Sequence, residues 1–429
     1  MFAKGKNRRG WKQKLFGLVP SVQAQARHKR IWLHAVSVGE VHVLNALVEQ
    51  LEQEYGEFQL FISTTTETGF DRAVSLFASN HCVFFFPFDF SWAIKNAIGR
   101  IKPDMLVLAE LELWPNLIHL ASEHSLPVMV ANGRLSENSH ANYRRFGWLT
   151  RSMFEKLSLV AAQDETYAQR FVDLGCAPDQ VTVTGNLKYD AVQTNRDNPL
   201  ACRCRQIAES IGISDSDQIF VAGSTQVEDE VAAIEAWISL REQNPLLKLV
   251  LVPRHPDRAG ESVSILKEHG VTAKRRSQLG QNSAGSEKQR NQTSAFSSDA
   301  LVVDVIGELS GWWALADVAF VGGSMGSRGG QNMIEPAAYG IPVCFGPNTA
   351  NFKSTVDGLL RNEAAKVVAD SSELAAFVDS MLRSTSRRNA IGERAQGYVN
   401  RHCGAVEKTI NLIQGFLGSS KRKYSDRAA

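Results

Sequence analysis

The amino-terminal part of this 429-residue chain lacks acidic residues altogether, since no Asp or Glu occurs before Glu40. The same segment is rich in cations, with Lys or Arg at positions 4, 6, 8, 9, 12, 14, 27, 29 and 30. A basic arm of this kind favours an anionic surface as its partner. Its interleaved apolar residues, among them Trp11 and Phe16, favour a membrane interface over nucleic acid. A frayed, solvated terminus is the alternative that stays open.

Long apolar runs are also missing. The most apolar stretch, residues 83–90, is too short to span a bilayer and is typical of a buried strand. The basic start has no adequate apolar segment followed by a small-residue cleavage site, so we predict no signal peptide. The six cysteines are scattered without the spacing of a disulfide framework, which indicates a reducing, cytoplasmic compartment.

The sequence does not support a serine nucleophile site or a divalent-metal site. No serine occurs in the setting of a nucleophile elbow with His and Asp partners. Asp215 and Asp217 have the D-x-D spacing that holds a divalent ion in some transferases, but they precede a predicted strand and therefore lie on the wrong side of the sheet. We predict neither a metal site nor a cofactor.

Short apolar runs alternate with longer amphipathic segments along the whole chain, which is the pattern of parallel, doubly wound α/β sheets. A polar, proline-containing break follows Asp190, and the alternation then restarts. The predicted strands are 31–36, 59–63, 82–86, 104–109, 128–131, 157–162 and 181–184 before the break, and 218–222, 247–252, 301–305, 317–321, 341–345 and 365–368 after it.

We therefore predict two Rossmann-like domains that face each other across a cleft and are hinged near residues 190–205. The predicted parts are a basic, partly apolar arm (1–30), a first domain (31–195), a second domain (205–385) with a mobile polar loop (276–299), and a C-terminal helix with a basic tail (386–429). The C-terminal helix lacks a following strand, and we expect it to pack back on the first domain.

The most informative stretch is a glycine-rich loop, residues 322–330, that follows the strand 317–321. A short helix is predicted from Gln331 to Gly340. Glycine lets a backbone approach a ligand closely, and free N–H groups at a helix start form an anion site. Glu335, one turn into that helix, is well placed to accept two ribose hydroxyls. A plain turn is the alternative, which the strand–loop–helix context and the carboxylate disfavour.

Polar residues follow several strands of the first half, where ligands of parallel sheets bind. Glu40 opens a helix and is either a general base or a glutamate that stabilises the helix dipole. Glu110 and Glu112 leave a buried strand together, which is unusual for a turn. Lys188 is either a surface lysine or a cation that projects into the cleft between the domains.

The second half offers further candidates at strand ends. Ser224 and Thr225 follow its first strand and suit a phosphate. Arg254, between a proline and a histidine, suits an aromatic base or a phosphate. Residues 306–308 precede a helix beside the glycine-rich loop.

Seven motifs carry a resemblance to a known family, at residues 34–40, 110–116, 132–136, 161–165, 183–190, 251–256 and 320–336. They occur in the order typical of the 3-deoxy-D-manno-octulosonic acid (Kdo) transferases, which the chain resembles from about residue 30 to 400. The resemblance implies the glycosyltransferase-B architecture, with a lipid A precursor bound mostly by the first domain and CMP-Kdo by the second. It also implies inverting transfer at the cytoplasmic face of the inner membrane.

By the same resemblance, Glu40 is the base, and Glu110 and Lys188 stabilise the transition state without a metal. The residues implied for CMP are Pro253, Arg254, Ile306, Gly307, Glu308, Asn332, Met333, Ile334 and Glu335.

Two departures from the family pattern bear on these expectations. The family usually starts with an apolar anchor, which is missing from this start, so we expect peripheral attachment or an anchor outside the given chain. The family commonly has His after Ser-Thr, where this chain has Gln226.

Two alternatives remain. A nucleotide-sugar 2-epimerase of the same architecture needs no acceptor and leaves the basic arm and the Glu40 motif unexplained. A catalytically silent lipid-binding or scaffold protein does not explain why Glu40, Glu110, Lys188 and Glu335 are all present.

Overall fold

A computed structural model describes residues 9–21, 29–54, 58–279 and 300–425. The chain divides into two compact units, Met1–Ala191 together with His402–Ala429, and Val192–Arg401. Several predictions fall outside the described residues: the arm cations Lys4, Lys6, Arg8 and Arg27, and most of the loop 276–299.

The first unit is built on a parallel sheet, for which the described residues give seven strands in the order β3-β2-β1-β4-β5-β6-β7. The strands are β1 (Lys29–Ala35), β2 (Phe58–Thr64), β3 (Cys82–Phe85), β4 (Met105–Ala109), β5 (Val128–Gly133), β6 (Leu159–Ala162) and β7 (Val181–Val183). The helices are α1 (Trp11–Phe16), α2 (Val38–Glu54), α3 (Glu67–Phe77), α4 (Ser91–Ile101), α5 (Pro115–Glu123), α6 (Glu137–Arg145), α7 (Gly147–Phe154), α8 (Glu165–Leu174) and α17 (Ala405–Ser425).

Both faces of this sheet are buried. Side chains alternate along a strand, so that Trp32 packs into one apolar cluster while Ile31 and Leu33 pack into another. Such two-sided burial explains why the strands read as continuous apolar runs. α17 adds Ile410 and Ile413 to the second cluster and packs against α2.

The second unit repeats this design with the strand order β10-β11-β9-β8-β12-β13-β14. Its strands are β8 (Gln218–Thr225), β9 (Leu247–Pro253), β10 (Ala273–Arg275), β11 (Ala300–Val302), β12 (Val318–Val321), β13 (Val343–Phe345) and β14 (Ala365–Val367). Its helices are α9 (Pro199–Ser210), α10 (Val227–Arg241), α11 (Ala259–Glu268), α12 (Leu309–Leu315), α13 (Ile334–Ala338), α14 (Lys353–Arg361), α15 (Ser371–Arg383) and α16 (Thr385–His402).

The structure corrects three details of the prediction. The C-terminal helical segment is two helices: α16 belongs to the second unit, and only α17 packs on the first. The helix after the glycine-rich loop is shorter than expected, since α13 begins at Ile334 instead of Gln331. β10, a three-residue edge strand with two cations, was not predicted.

Candidate active site

The candidate glutamates of the first unit lie at the carboxyl ends of β1 and β4, which pair directly. Glu40 lies in the first turn of α2, directly after β1. Glu110 and Glu112 follow β4. The charge of Glu110 reaches both Glu40 and Glu112, so the three side chains form one group, which we call the carboxylate cluster.

Glu40 is held by the loop that begins α2. Its Oε2 accepts a hydrogen bond from the Val36 N–H at 2.8 Å, and its Oε1 accepts one from the Ser37 hydroxyl at 2.8 Å. The Glu40 N–H donates in return to Ser37 Oγ at 3.4 Å. These contacts resemble a capping box, except that the carboxylate accepts the Val36 N–H instead of the Ser37 N–H. The Ser-x-x-Glu spacing is visible in the sequence and was not used in the prediction.

Burial raises the pKa of the Glu40 carboxyl above its usual value, and the charge of Glu110 adds to the rise, while the hydrogen bonds from Val36 and Ser37 oppose it. A carboxylate with a raised pKa is a stronger base than an ordinary glutamate. Each of its oxygens keeps a lone pair that the capping contacts do not use. Glu40 is therefore equipped for both alternatives, the helix cap and the base.

A cation stands beside the carboxylate cluster. Lys188 Nζ lies 3.9 Å from Glu110 Oε1, and both side chains are partly open to solvent. Glu110 adopts a left-handed backbone with φ of 55°, which is uncommon for a residue with a side chain. Its N–H donates to the Ala131 carbonyl at 2.9 Å, so the neighbouring strand β5 supports this conformation. Strained backbone of this kind is typical of functional sites.

Glu112 is the most perturbed member of the cluster. Burial, together with the charges of Glu40 and Glu110, raises the pKa of Glu112 to about 7. Near neutral pH the Glu112 carboxyl is therefore present in both its protonated and its ionised form. The protonated form lowers the net negative charge around Glu40 and Glu110.

The position of Lys188 depends on residues that the prediction missed. Asn132 is fully buried, has a φ of 57°, and accepts a hydrogen bond from the Leu187 N–H at 3.0 Å. Asn186 accepts the Lys188 N–H at 3.0 Å and donates through its side chain to Gln163 at 3.2 Å. These amides hold the short 3-10 turn that carries Lys188. Asn132 lies within a recognised motif, but its role required the three-dimensional structure.

In the second unit, the three segments expected to bind CMP follow strands at one edge of the sheet. Pro253 ends β9 and Arg254 follows it, residues 306–308 follow β11, and residues 332–335 lie after β12. β11, β9, β8 and β12 are consecutive in the sheet. Parallel strands bring these exits to the same side.

Glu335 connects two of these segments. Asn332 Nδ2 donates to Glu335 Oε1 at 3.0 Å. Burial raises the pKa of Glu335, while the hydrogen bond from Asn332 and the positive charge of Arg254 lower it. Arg254 therefore lies within electrostatic reach of Glu335.

The segment 306–308 presents an unusual surface. The side chain of Ile306 is 89% exposed, and Gly307 has a φ of 92°. Glu308, in contrast, is buried and paired with Arg276, whose Nε and Nη2 donate to its two oxygens at 2.9 Å each. Arg276, the first residue of the predicted mobile loop 276–299, is thus held in a buried ion pair.

The glycine-rich loop differs from the expected anion site. The N–H groups of Gly323, Ser324 and Met325 donate to the carboxylate of Asp229 at 2.6, 3.2 and 2.9 Å. A buried carboxylate of the chain therefore already binds these three N–H groups. The predicted anion site at the start of the following helix involves other N–H groups and stays a prediction.

Gln226, which stands where the family commonly has His, also has a structural partner. It is the N-cap of α10 and forms a reciprocal capping box with Asp229. The Gln226 N–H donates to Asp229 Oδ2 at 2.8 Å, so this residue serves the start of a helix.

Within the described ranges, no group of three or more His, Cys, Asp or Glu side chains is arranged to hold a metal ion. Asp217, from the D-x-D pair, accepts the N–H and the hydroxyl of Ser214 at 2.7 and 3.0 Å and so closes its own turn.

Comparisons with known proteins agree with these observations. A family model described as 3-Deoxy-D-manno-octulosonic-acid transferase (kdotransferase) matches residues 9–191. The 3-deoxy-D-manno-octulosonic acid transferase of Haemophilus influenzae is 31% identical over 90% of this chain and 87% of its own length. The chain belongs to this family. The Bordetella pertussis member is likewise 31% identical, over 90% of this chain and 87% of its own length.

Membership in the Kdo transferase family makes the chain a glycosyltransferase and confirms the recognition from sequence motifs. Among solved structures, the UDP-GlcNAc 2-epimerase of Neisseria meningitidis matches 90% of this chain and 100% of its own with a TM-score of 0.60 and 12% identity. A glycosyltransferase of Rickettsia africae matches 91% of this chain and 99% of its own with a TM-score of 0.57, also at 12% identity. These likenesses confirm the predicted glycosyltransferase-B type of fold.

Proposed function

We propose that this protein transfers Kdo from CMP-Kdo to a lipid A precursor with inversion at the anomeric carbon. The observation that carries the proposal is the grouping of Glu40, Glu110 and Lys188, a half-buried base beside a carboxylate–lysine pair. An epimerase of the same fold takes no acceptor and so needs no base for an acceptor hydroxyl.

In the proposed reaction a primary hydroxyl of the lipid's glucosamine disaccharide attacks the anomeric carbon of Kdo. The C–O bond to the acceptor forms as the C–O bond to the CMP phosphate breaks, and CMP leaves with the bonding electron pair. The hydroxyl proton passes to a carboxylate oxygen of Glu40. Because even a raised carboxyl pKa lies far below that of an alcohol, this transfer is late, once the bond to the leaving phosphate is stretched.

Negative charge develops on the departing phosphate, and cations stabilise it. In the first unit this cation is Lys188, whose Nζ lies 3.9 Å from Oε1 of Glu110, and Glu110 orients it. Arg254 is a second cation, held near Glu335 in the second unit. Positioned cations of this kind stabilise a leaving phosphate electrostatically. We propose that they suffice, so that transfer is independent of metal ions.

The proposed nucleotide site comprises Pro253, Arg254, Ile306, Gly307, Glu308, Asn332, Met333, Ile334 and Glu335. Glu335 suits the ribose hydroxyls, because its second oxygen is not engaged by the Asn332 amide. The exposed side chain of Ile306 suits the flat face of cytosine. Since Arg276 occupies both oxygens of Glu308, the backbone of 306–308 is the part that reads the base.

The test is a transfer reaction with purified protein, freshly generated CMP-Kdo and a tetra-acylated lipid A precursor, analysed by mass spectrometry. The expected product has the mass of the precursor plus one or more Kdo units, and a chelator leaves its amount unchanged. Intact precursor together with unchanged CMP-Kdo contradicts the proposal. A strict requirement for added metal contradicts the metal-independent step alone.

We further propose that the protein works on an anionic membrane surface at the cytoplasmic face of the inner membrane. Six large apolar side chains of the first unit are each 41–57% exposed, and we call them the apolar face: Trp11, Phe16, Leu18, Phe88, Phe90 and Trp92. α1 packs on α4 here, and the Trp92 indole donates to the Leu15 carbonyl at 2.9 Å. Arg9 and Lys12 lie in the same segment, and such a mixture suits anionic lipid.

Within residues 9–21, 29–54, 58–279 and 300–425, no helix is long and apolar enough to cross a bilayer.

Replacing Phe90 and Trp92 together by serine is expected to weaken binding to anionic lipid vesicles by about tenfold or more. Each aromatic side chain that is fully buried in the membrane contributes roughly 1.5–3 kcal/mol of binding free energy, which serine does not supply. Cosedimentation with phosphatidylglycerol vesicles measures the effect. Trp148→Ser is the matched control, since Trp148 is 84% exposed on α7 and is not one of the six residues of the apolar face. Equal losses in both variants, or no loss in either, would exclude the apolar face as the attachment site.

A further inference from the structure

The carboxylate of Asp229 lies at the centre of the glycine-rich loop although it belongs to α10. Its side chain has no exposure to solvent. Oδ2 accepts the N–H groups of Gln226 and Gly323 at 2.8 and 2.6 Å, and Oδ1 accepts those of Ser324 and Met325 at 3.2 and 2.9 Å. Successive backbone N–H groups that converge on one point are the usual cradle of a phosphate.

We infer that Asp229 is a built-in anion that positions the glycine-rich loop for nucleotide binding. It occupies the cradle that a loop of this sequence would otherwise offer to a ligand phosphate. The inference rests on the proposed function for the identity of the nucleotide, but the internal contacts do not depend on it. Asp229 touches no substrate in this account and is a positioning residue.

The loop is fastened at other points too, which makes the cradle rigid. The Ser324 hydroxyl donates to the Val321 carbonyl at 2.7 Å and accepts the Gly346 N–H at 2.8 Å. The Gly330 N–H donates to the Gly323 carbonyl at 2.7 Å and closes the loop on itself. Gly323 has a φ of 68°, which favours glycine at this point.

The fastened loop leads directly into the proposed nucleotide residues. It ends before Asn332, whose side chain accepts the Ile334 N–H at 3.1 Å and donates to Glu335 at 3.0 Å. A change at Asp229 therefore reaches Glu335 through the loop. A second consequence is that the N–H groups of Gly323, Ser324 and Met325 are not available to the donor phosphate, for which Arg254 is the proposed cation.

A neutral amide cannot replace this carboxylate. Asparagine has one acceptor oxygen and one NH₂ group in place of the two carboxylate oxygens. Two of the four backbone N–H groups that Asp229 binds would then point at this NH₂ group and lose their hydrogen bonds. The Asp229→Ala change removes both acceptor oxygens, and with them all four hydrogen bonds, and leaves a hole the size of a carboxylate. Formate has the charge and the size to fill that hole, whereas formamide has only the size.

The experiment compares Asp229→Ala, Asp229→Asn and the matched control Glu235→Ala, an exposed glutamate on the same helix. Melting temperature is measured by calorimetry, and CMP affinity by titration, each with no additive, with sodium formate or with formamide. We expect both Asp229 variants to bind CMP about tenfold or more weakly. Formate restores the melting temperature and the CMP affinity of Asp229→Ala, formamide does not, and the control matches the unaltered protein.

Equal rescue by formate and formamide, or CMP affinity and melting temperature unchanged in Asp229→Asn, would overturn the inference. If Asp229→Ala folds only in formate, the built-in anion is supported directly. Should the unaltered protein fail to bind CMP, the proposed function fails, while the formate dependence of the melting temperature still decides whether the loop requires an anion at this place.

Discussion

Glu40→Gln is expected to slow Kdo transfer by a factor of about 10²–10⁴, because an amide cannot accept the proton of the attacking hydroxyl. Glutamine has the size of glutamate and keeps one acceptor oxygen for the Val36 N–H or the Ser37 hydroxyl, so the fold should survive. CMP affinity should change little, since the residues proposed to bind CMP lie in the other unit. Steady-state rates with CMP-Kdo and calorimetric titration of CMP measure the two effects.

The control for this prediction comes from the capping box. Ser37→Ala removes the cap hydroxyl but leaves the Glu40 carboxylate, and loss of such a cap costs about 0.5–2 kcal/mol of stability. We expect Ser37→Ala to lower the melting temperature as much as Glu40→Gln does, with a far smaller loss of rate. If the two variants lose rate in equal measure, Glu40 serves the helix and another group is the base.

Lys188→Met is expected to lower kcat by about 10²–10³, because the leaving phosphate loses a positioned cation. The long apolar side chain of methionine keeps much of the packing of lysine. The variant also leaves Glu110 without the ammonium group that lies 3.9 Å away, so the carboxylate cluster becomes more negative. Rates with saturating CMP-Kdo and lipid acceptor measure kcat.

Two further variants make this prediction specific. Lys188→Arg restores the charge in a different shape and should recover part of the rate. Lys408→Met, which removes an exposed lysine on α17 of the same unit, should leave the rate unchanged. A Lys188→Met protein with full activity would show that the transition state is stabilised elsewhere.

The fold was predictable from sequence because its strands are buried on both faces. Strands such as β4 and β12 are continuous apolar runs without alternating polar residues, and the connecting helices are amphipathic. β10 was not predicted because it is an edge strand of only three residues, two of them charged, and is therefore not an apolar run. α16 and α17 merged in the prediction because helical patterns run on both sides of Gly404, where the chain turns with a φ of 97°.

The site was predictable only as far as strand ends indicate ligand positions. That rule selects Glu40, Glu110, Lys188, Arg254 and Glu335 as candidates, and their roles stay predictions. It did not reveal which groups already have partners. Asp229 and Arg276 look like ordinary surface charges in the sequence, and their roles arise from neighbours about 95 and 32 residues away in the chain.

The most direct test of the central claim, that Glu40 removes the acceptor proton without a metal ion, is the pH dependence of single-turnover transfer in a chelator. The base must be ionised, so the rate should rise with pH through the pKa of Glu40, which burial raises above its usual value, and then level off. Glu112→Gln should keep this limb, whereas Glu40→Gln should lose it and show a low, flat profile. Parallel profiles for the unaltered protein and Glu40→Gln, or transfer that appears only when a divalent metal is restored, would contradict the account.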